Sequence, residues 1–331
     1  MAYALGYQAL GHSVAFLLHP SYKLFKELAE TAPILEAEGP GAIDLRSFDL
    51  ALFYNMAPNN ATLARRMKGC GLKVAYVYHE PWESIPTYLR TEGPYSTLKL
   101  TLAHRFSVDL LKLSDLVILS SKRAMELYHQ GDVRYNHHVE YIPLLLTDEC
   151  PKGELPERRF VSYIGTICPG HAFDAFVRFM EFAADQDSSL TFLLASRSPT
   201  PTSTAFKRAL RKLGNRLRVQ CGRPLTNEEI NNLYLQSVCT WNLYKRTTQS
   251  GVLPRAQMLG APSLASPVGS LPEFMRDGQE GIFVKDPSPM AIMEAASKIR
   301  ENQDQFSANC RSNFLNTFHF QANLERIRQT L

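Results

Sequence analysis

The sequence predicts an α/β protein of two doubly wound parallel-sheet domains, and three observations carry that prediction. The chain has 331 residues, more than a single hydrophobic core of ordinary size accommodates. Apolar runs of strand length alternate with helix-period segments, as in sheets covered by helices on both faces. The alternation stops at a polar, proline-containing segment over 143–157 and then restarts, which places a domain boundary near residue 148. A hydrophobic content of 45% suits a globular chain.

In the first half the strand candidates are 13–18, 48–54, 73–78, 115–119 and 140–142, with helices between them at 62–68 and 98–113. In the second half they are 160–164, 190–194, 216–220, 238–243, 263–265 and 281–284. The last segment, 318–331, spaces Phe320, Leu324, Ile327 and Leu331 on one helical face. No run approaches the roughly 18 apolar residues of a membrane span, and the interrupted start does not read as a signal peptide. The six cysteines form no CxxC pair, so they read as reduced thiols of a cytoplasmic protein with no structural metal.

Charge divides unevenly. Residues 1–150 hold 14 Lys and Arg against 16 Asp and Glu, whereas residues 151–331 hold 22 against 16. Within the basic half, 230–272 contains no carboxylate, where the chain's own acidic fraction would place about four. That stretch includes Lys245, Arg246, Thr247, Thr248, Gln249, Ser250, Gly251, Val252 and Arg255, a loop of hydroxyls and cations running into a helix. An anion such as a diphosphate suits it, because hydroxyls, free amides and positive charge all stabilise phosphate oxygens. Nucleic acid is not indicated, since the cations are scattered and carry no interleaved aromatic stripe.

Ligands of doubly wound sheets bind at the carboxyl ends of strands, so the loops there are the candidate sites. Besides 244–251 these are 165–171, with Gly165 and Thr166, and 79–84, where His79 and Glu80 open a loop followed by Trp82, Tyr88 and Tyr95. Arg197 follows another strand. Asp185 and Asp187 spell a DxD but stand before a strand, the wrong end for a ligand, and read as a turn. His137 and His138 are adjacent and read as a surface turn. Leu98, Leu102, Phe106 and Leu110 form a stripe with Lys99, Arg105 and Lys112 around it, which reads as core packing before membrane docking.

The runs VSYIG (161–165), RLRVQCGRPLTNEEINNLYLQSV (216–238) and AQMLGAPSLASPVGSLPEFMRDGQEGIFV (256–284) resemble the donor-binding domain of GT-B glycosyltransferases, in particular the retaining group called family 4. The first half resembles the partner domain more loosely, through LGYQALGHSV (5–14), KVAYVYHEPWE (73–83) and LSDLVILSS (113–121). The family's two donor-contacting glutamates correspond to Thr247 and Arg255, as in a branch with a Thr-Gln-Ser-Gly loop. Its Arg and Lys after the first donor-domain strand correspond to Thr166 and to Gly170 or His171. The resemblance implies two Rossmann-like domains facing a cleft: an acceptor-side domain over 1–148, lacking the first strand and completed by helix 318–331, and a nucleotide-sugar domain over 149–317.

It further implies a hexosyltransferase type of enzyme that moves a sugar from a nucleotide-diphosphate sugar to a glycan, lipid-linked or other small acceptor, with retention and without metal or cofactor. The setting is cell-surface polysaccharide or glycoconjugate biosynthesis, in the cytoplasm, with peripheral association at the inner membrane face. His79 and Glu80 are the catalytic candidates. Gly165, Thr166, Arg197, Lys245 to Val252 and Arg255 are the donor-binding ones. A degenerate binding protein of the same fold and a nucleotide-sugar epimerase are the alternatives.

Overall fold

The computed structural model describes residues 1–18, 25–36, 44–131 and 137–331. Contacts divide the chain into an N-terminal unit of Met1–Leu89, Pro94–Thr147 and Thr317–Leu331, and a C-terminal unit of Arg90–Gly93 and Asp148–Asn316.

In the N-terminal unit β1 (Phe16–Leu18) pairs with β2 (Ile34–Glu36), a three-residue strand too short to announce itself by alternation. A four-stranded sheet follows, of β3 (Leu50–Phe53), β4 (Lys73–Val77), β5 (Leu116–Leu119) and β6 (His138–Tyr141) in that order, all parallel. Every residue of β5 is buried, because helices cover both faces of the sheet and leave no side for polar alternation. One face packs Val74, Tyr76, Val117 and Leu119 against Ala64, Met67 and Leu110. The other packs Ala75, Val77, Leu116 and Ile118 with Tyr3, Tyr7 and Ile327.

Both ends of the chain meet on that second face. The helix Leu324–Arg328 lies on the helix Ala2–Ala9, with Ile327 against Gly6. Tyr7 shares a 2.7 Å hydrogen bond with Thr330, and Lys73 Nζ donates to the Thr330 and Leu331 carbonyls at 3.1 and 2.9 Å. Leu331 itself stays 45% exposed, so the apolar face of this segment ends at Ile327.

The C-terminal unit holds β7 (Phe160–Ile164), β8 (Thr191–Ser196), β9 (Leu217–Cys221), β10 (Ser237–Asn242), β11 (Ser263–Ala265) and β12 (Gly281–Phe283). They form one parallel sheet in the order β12-β11-β10-β7-β8-β9. The chain thus runs outward from β7 to β9, returns to the other side of β7, and runs outward again from β10 to β12. Between β7 and β10 the winding direction reverses, the position in a doubly wound sheet where ligands bind. Local chemistry sets the helix starts. Thr226 and Glu229 form a reciprocal capping box at Asn227–Leu235, and the Ser288 hydroxyl with Pro289 opens Pro289–Glu301. The core centres on Phe176, Phe179, Phe192, Trp241 and Ile299. Among the described residues no helix is long and apolar enough to cross a membrane.

Candidate functional site

The reversal between β7 and β10 brings together two of the loops singled out from sequence. Gly165 directly follows β7 with φ of 142°, a backbone shape side chains rarely adopt. Thr166 is exposed at the tip, while its carbonyl accepts from the Tyr163 hydroxyl at 2.8 Å and from His171 Nδ1 at 3.0 Å. The His171 ring stacks on Tyr244 with centroids 4.4 Å apart. The loop after β10 is tied to this one by the amide of Lys245, which donates to the Gly170 carbonyl at 2.8 Å.

The remainder of 244–251 is held from inside. The Thr247 hydroxyl donates to the Gln249 carbonyl at 3.1 Å, and the Thr247 carbonyl accepts from the Ser270 amide at 3.2 Å. A side chain at Gly269 would overlap that carbonyl, so the loop after β11 presses backbone to backbone on this one. Thr247 and Thr248 are buried, which turns their side chains to shaping the loop. Gln249 and Ser250 are half-buried, Gly251 is exposed, and the Ser250 hydroxyl accepts from the Val252 amide that begins the helix Val252–Met258.

The cations separate by position. Lys245 is partly exposed, with Nζ 3.9 Å from Asp174, and Arg246 lies 3.9 Å from the Glu92 carboxylate with only 11% of its side chain exposed. The stretch that is free of acids in sequence is therefore not free of them in space: both carboxylates arrive from other segments. Arg197 is exposed just beyond β8. Arg255 is engaged elsewhere, donating to Asn231 at 2.9 Å and Asn227 at 2.8 Å, with Glu149 at 3.4 Å. Its guanidinium braces the segment before β7 against the helix Asn227–Leu235.

In the N-terminal unit His79 and Glu80 follow β4 and line a cavity of about 210 Å³ with Asn55, Tyr76, Trp82 and His104. His79 Nε2 donates to the Tyr54 carbonyl at 3.1 Å, which assigns the proton of a neutral ring to Nε2. Burial holds its pKa below the ordinary 6.5, and burial does the same to His104. Both rings are therefore neutral near pH 7, able to accept a proton but not supplying fixed charge. Glu80 is exposed beside them.

Several residues differ from their expected surroundings. Trp82 packs on His104 and Tyr88 with centroids 4.8 and 4.7 Å apart, so these rings stabilise one another. Tyr95 lies 70% exposed with Lys99 over its ring. Leu110 is buried as expected of a core stripe, but Leu98, Leu102 and Phe106 are exposed at 60, 54 and 40%. The helix Pro94–Leu111 spends its inward side on the sheet and leaves these on the other, a choice periodicity alone does not specify. Asp185 lies in the last turn of the helix Phe173–Gln186 and pairs with Lys212, while Asp187 caps that helix and accepts from Ser189, so this DxD is a braced helix end and not the turn expected. Glu92, absent from any motif, is the residue that sequence reasoning missed. It ends the helix Ile85–Glu92, far in sequence from the loop it approaches, and carries no local signal.

Residues 158–302 match the family model described as Glycosyl transferases group 1. Among solved structures the chain is similar to sucrose-phosphate synthase from Thermosynechococcus elongatus, with a TM-score of 0.70 at 16% identity over 99% of this chain and 90% of that one. It is also similar to HepE of Anabaena in complex with UDP and glucose, at 0.65 and 14% over 95% and 90%, and to a glycosyltransferase from Rickettsia africae, at 0.64 and 13% over 99% and 91%. No curated protein matches the chain by sequence. Fold and family model define the class that the chain resembles: it has the GT-B fold, and residues 158–302 match glycosyl transferases group 1. The matched segment occupies the six-stranded unit, from Arg158 just before β7 to the end of the helix Pro289–Glu301.

Proposed function

We propose that the chain is a glycosyltransferase that takes its sugar from a nucleotide-diphosphate sugar held at the β7/β10 reversal and delivers it to a glycan, lipid-linked or other small acceptor. The carrying observation is the junction itself, where the Lys245 amide ties the loop after β10 to the loop after β7. Gly165, Thr166, Arg197, Lys245, Arg246 and the loop through Val252 form the donor site. Arg255 is left out of it because its donors are taken by Asn227 and Asn231.

Cleaving the sugar–phosphate bond develops negative charge on the departing diphosphate. Lys245, Arg246 and nearby amides offset that charge, so the reading assigns leaving-group stabilisation to the protein's own cations without a metal. His79 and Glu80 are assigned to the sugar and acceptor side, within the aromatic-lined cavity. The retaining outcome and a place in cell-surface polysaccharide or glycoconjugate synthesis belong to the same reading.

Peripheral attachment of a cytoplasmic enzyme to the inner membrane face also belongs to it, supported by the exposed stripe of Tyr95, Leu98, Leu102 and Phe106. At 100° per residue Lys99 flanks that stripe on one side and Arg105 and Lys112 on the other, the charge pattern an anionic lipid surface attracts.

HepE was solved with UDP and glucose, which makes UDP-glucose the first donor to try, followed by other UDP- and GDP-sugars in a thermal-shift panel. Replacing Lys245 and Arg246 together by Ala should weaken nucleotide-sugar binding by about 2 kcal/mol, roughly thirtyfold. Unchanged affinity in that variant would remove the donor-site assignment.

A further inference from the structure

The acid-free loop has a half-buried carboxylate against it, and the surrounding packing is arranged to admit it. Glu92 ends the helix Ile85–Glu92 and counts with the C-terminal unit. Its side chain is 14% exposed and approaches Arg246 Nε at 3.9 Å. On its other side lies Gly170. A Cβ there would overlap Glu92 Oε1 and come within 2.7 Å of Cδ and Oε2, closer than real Cβ contacts allow. The same glycine accepts the Lys245 amide through its carbonyl. One residue without a side chain thus both joins the two loops and makes room for the carboxylate.

Burying a guanidinium or a carboxylate alone is costly, and the cost falls when the two face each other. Arg246 lies nearly out of water, with 11% of its side chain exposed, so its direction matters for any anion it is to meet. A negative charge beside the guanidinium biases its orientation and so the direction from which an anion meets it.

We infer that Glu92 is the positioning carboxylate of the donor site, supplied from outside the acid-free stretch, and that position 170 is glycine to admit it. Glu92 acts through Arg246 and is not a catalytic residue. The inference rests on the reading of 244–251 as the diphosphate loop.

The test measures UDP affinity by calorimetry, with melting temperature alongside, for wild type, Arg246→Gln, Glu92→Gln, the double variant and Gly170→Ala. Arg246→Gln should weaken UDP about tenfold, and Glu92→Gln about threefold to tenfold. The double variant should bind no more weakly than Arg246→Gln alone, because Glu92 works only through that side chain. Gly170→Ala should reproduce Glu92→Gln by displacing the carboxylate, and it decides the matter if Glu92→Gln folds poorly. If Arg246→Gln leaves UDP binding unchanged, or wild type does not bind UDP-type nucleotides, the donor-loop reading fails. If Arg246→Gln weakens binding while Glu92→Gln and Gly170→Ala do not, or if the losses in the double variant add, the role of Glu92 is overturned and the loop reading stands. Tighter binding in Glu92→Gln overturns it as well, since a carboxylate that competes with the diphosphate is the opposite role.

Discussion

Replacing Ile327 by alanine should destabilise the N-terminal unit selectively. Ile327 is fully buried in the cluster formed with Ala2, Tyr3, Tyr7, Ala75 and Val77. Losing three carbon groups at about 0.8 kcal/mol each removes roughly 2.4 kcal/mol of transfer energy, and the residual cavity raises the total to about 3–4 kcal/mol. The contact with Gly6 sharpens the argument. A Cβ at position 6 would overlap Ile327 Cδ1, whereas Cγ1 and Cγ2 lie at 3.6 and 3.7 Å, ordinary contact distances. Gly6→Ala in an otherwise native chain should therefore cost about 1–3 kcal/mol through overpacking, despite alanine's advantage of roughly 1 kcal/mol in helices. Ile327→Val removes only Cδ1, at a cost of about 0.5–1.5 kcal/mol, and in that background Gly6→Ala should turn neutral or stabilising. Hydrogen exchange followed through a urea series reads the two units separately and yields the free energies. A loss below about 1 kcal/mol for Ile327→Ala, or the same effect of Gly6→Ala in both backgrounds, would refute the packing argument.

The remaining predictions concern protons, membrane and catalysis. His79, His104 and His137 all lie in the N-terminal unit with pKa values held below the ordinary 6.5, chiefly by burial. The unfolded chain then binds more protons in this window, so the stability these groups confer is complete above about pH 6.5 and is lost as pH falls through their folded values. Melting of that unit should drop between pH 6.5 and 5; a flat profile contradicts it. Leu98→Glu with Leu102→Glu should leave melting nearly unchanged, since both are exposed, but abolish co-sedimentation with phosphatidylglycerol vesicles. Wild-type protein that ignores those vesicles ends the membrane reading. His79→Ala should cut turnover while sparing nucleotide affinity and melting temperature, and a large loss of stability instead would make it a packing residue.

The Lys245–Pro262 stretch shows where legibility from sequence ends. Its cations, hydroxyls and lack of acids are visible in the chain, and so are the apolar runs of β5 and β7, because strand and helix periods are set by neighbours a few residues apart. The restart after residue 157 marked a second sheet for the same local reason. Strand order is a different matter. That β10 returns beside β7, and so brings the loop at Lys245 to the loop at Gly170, follows from packing among segments some 80 residues apart. Arg255 and Arg246 look alike in the sequence, yet one is given to Asn227 and Asn231 and the other faces Glu92. The stripe from Leu98 to Phe106 has the spacing of a core helix, and its exposure depends on which side of Pro94–Leu111 the sheet already occupies. Sequence alone determined the types of group available and the elements that carry them. Tertiary structure decided which groups meet, because a side chain's partner is fixed by the path of distant backbone and by how much water that path excludes.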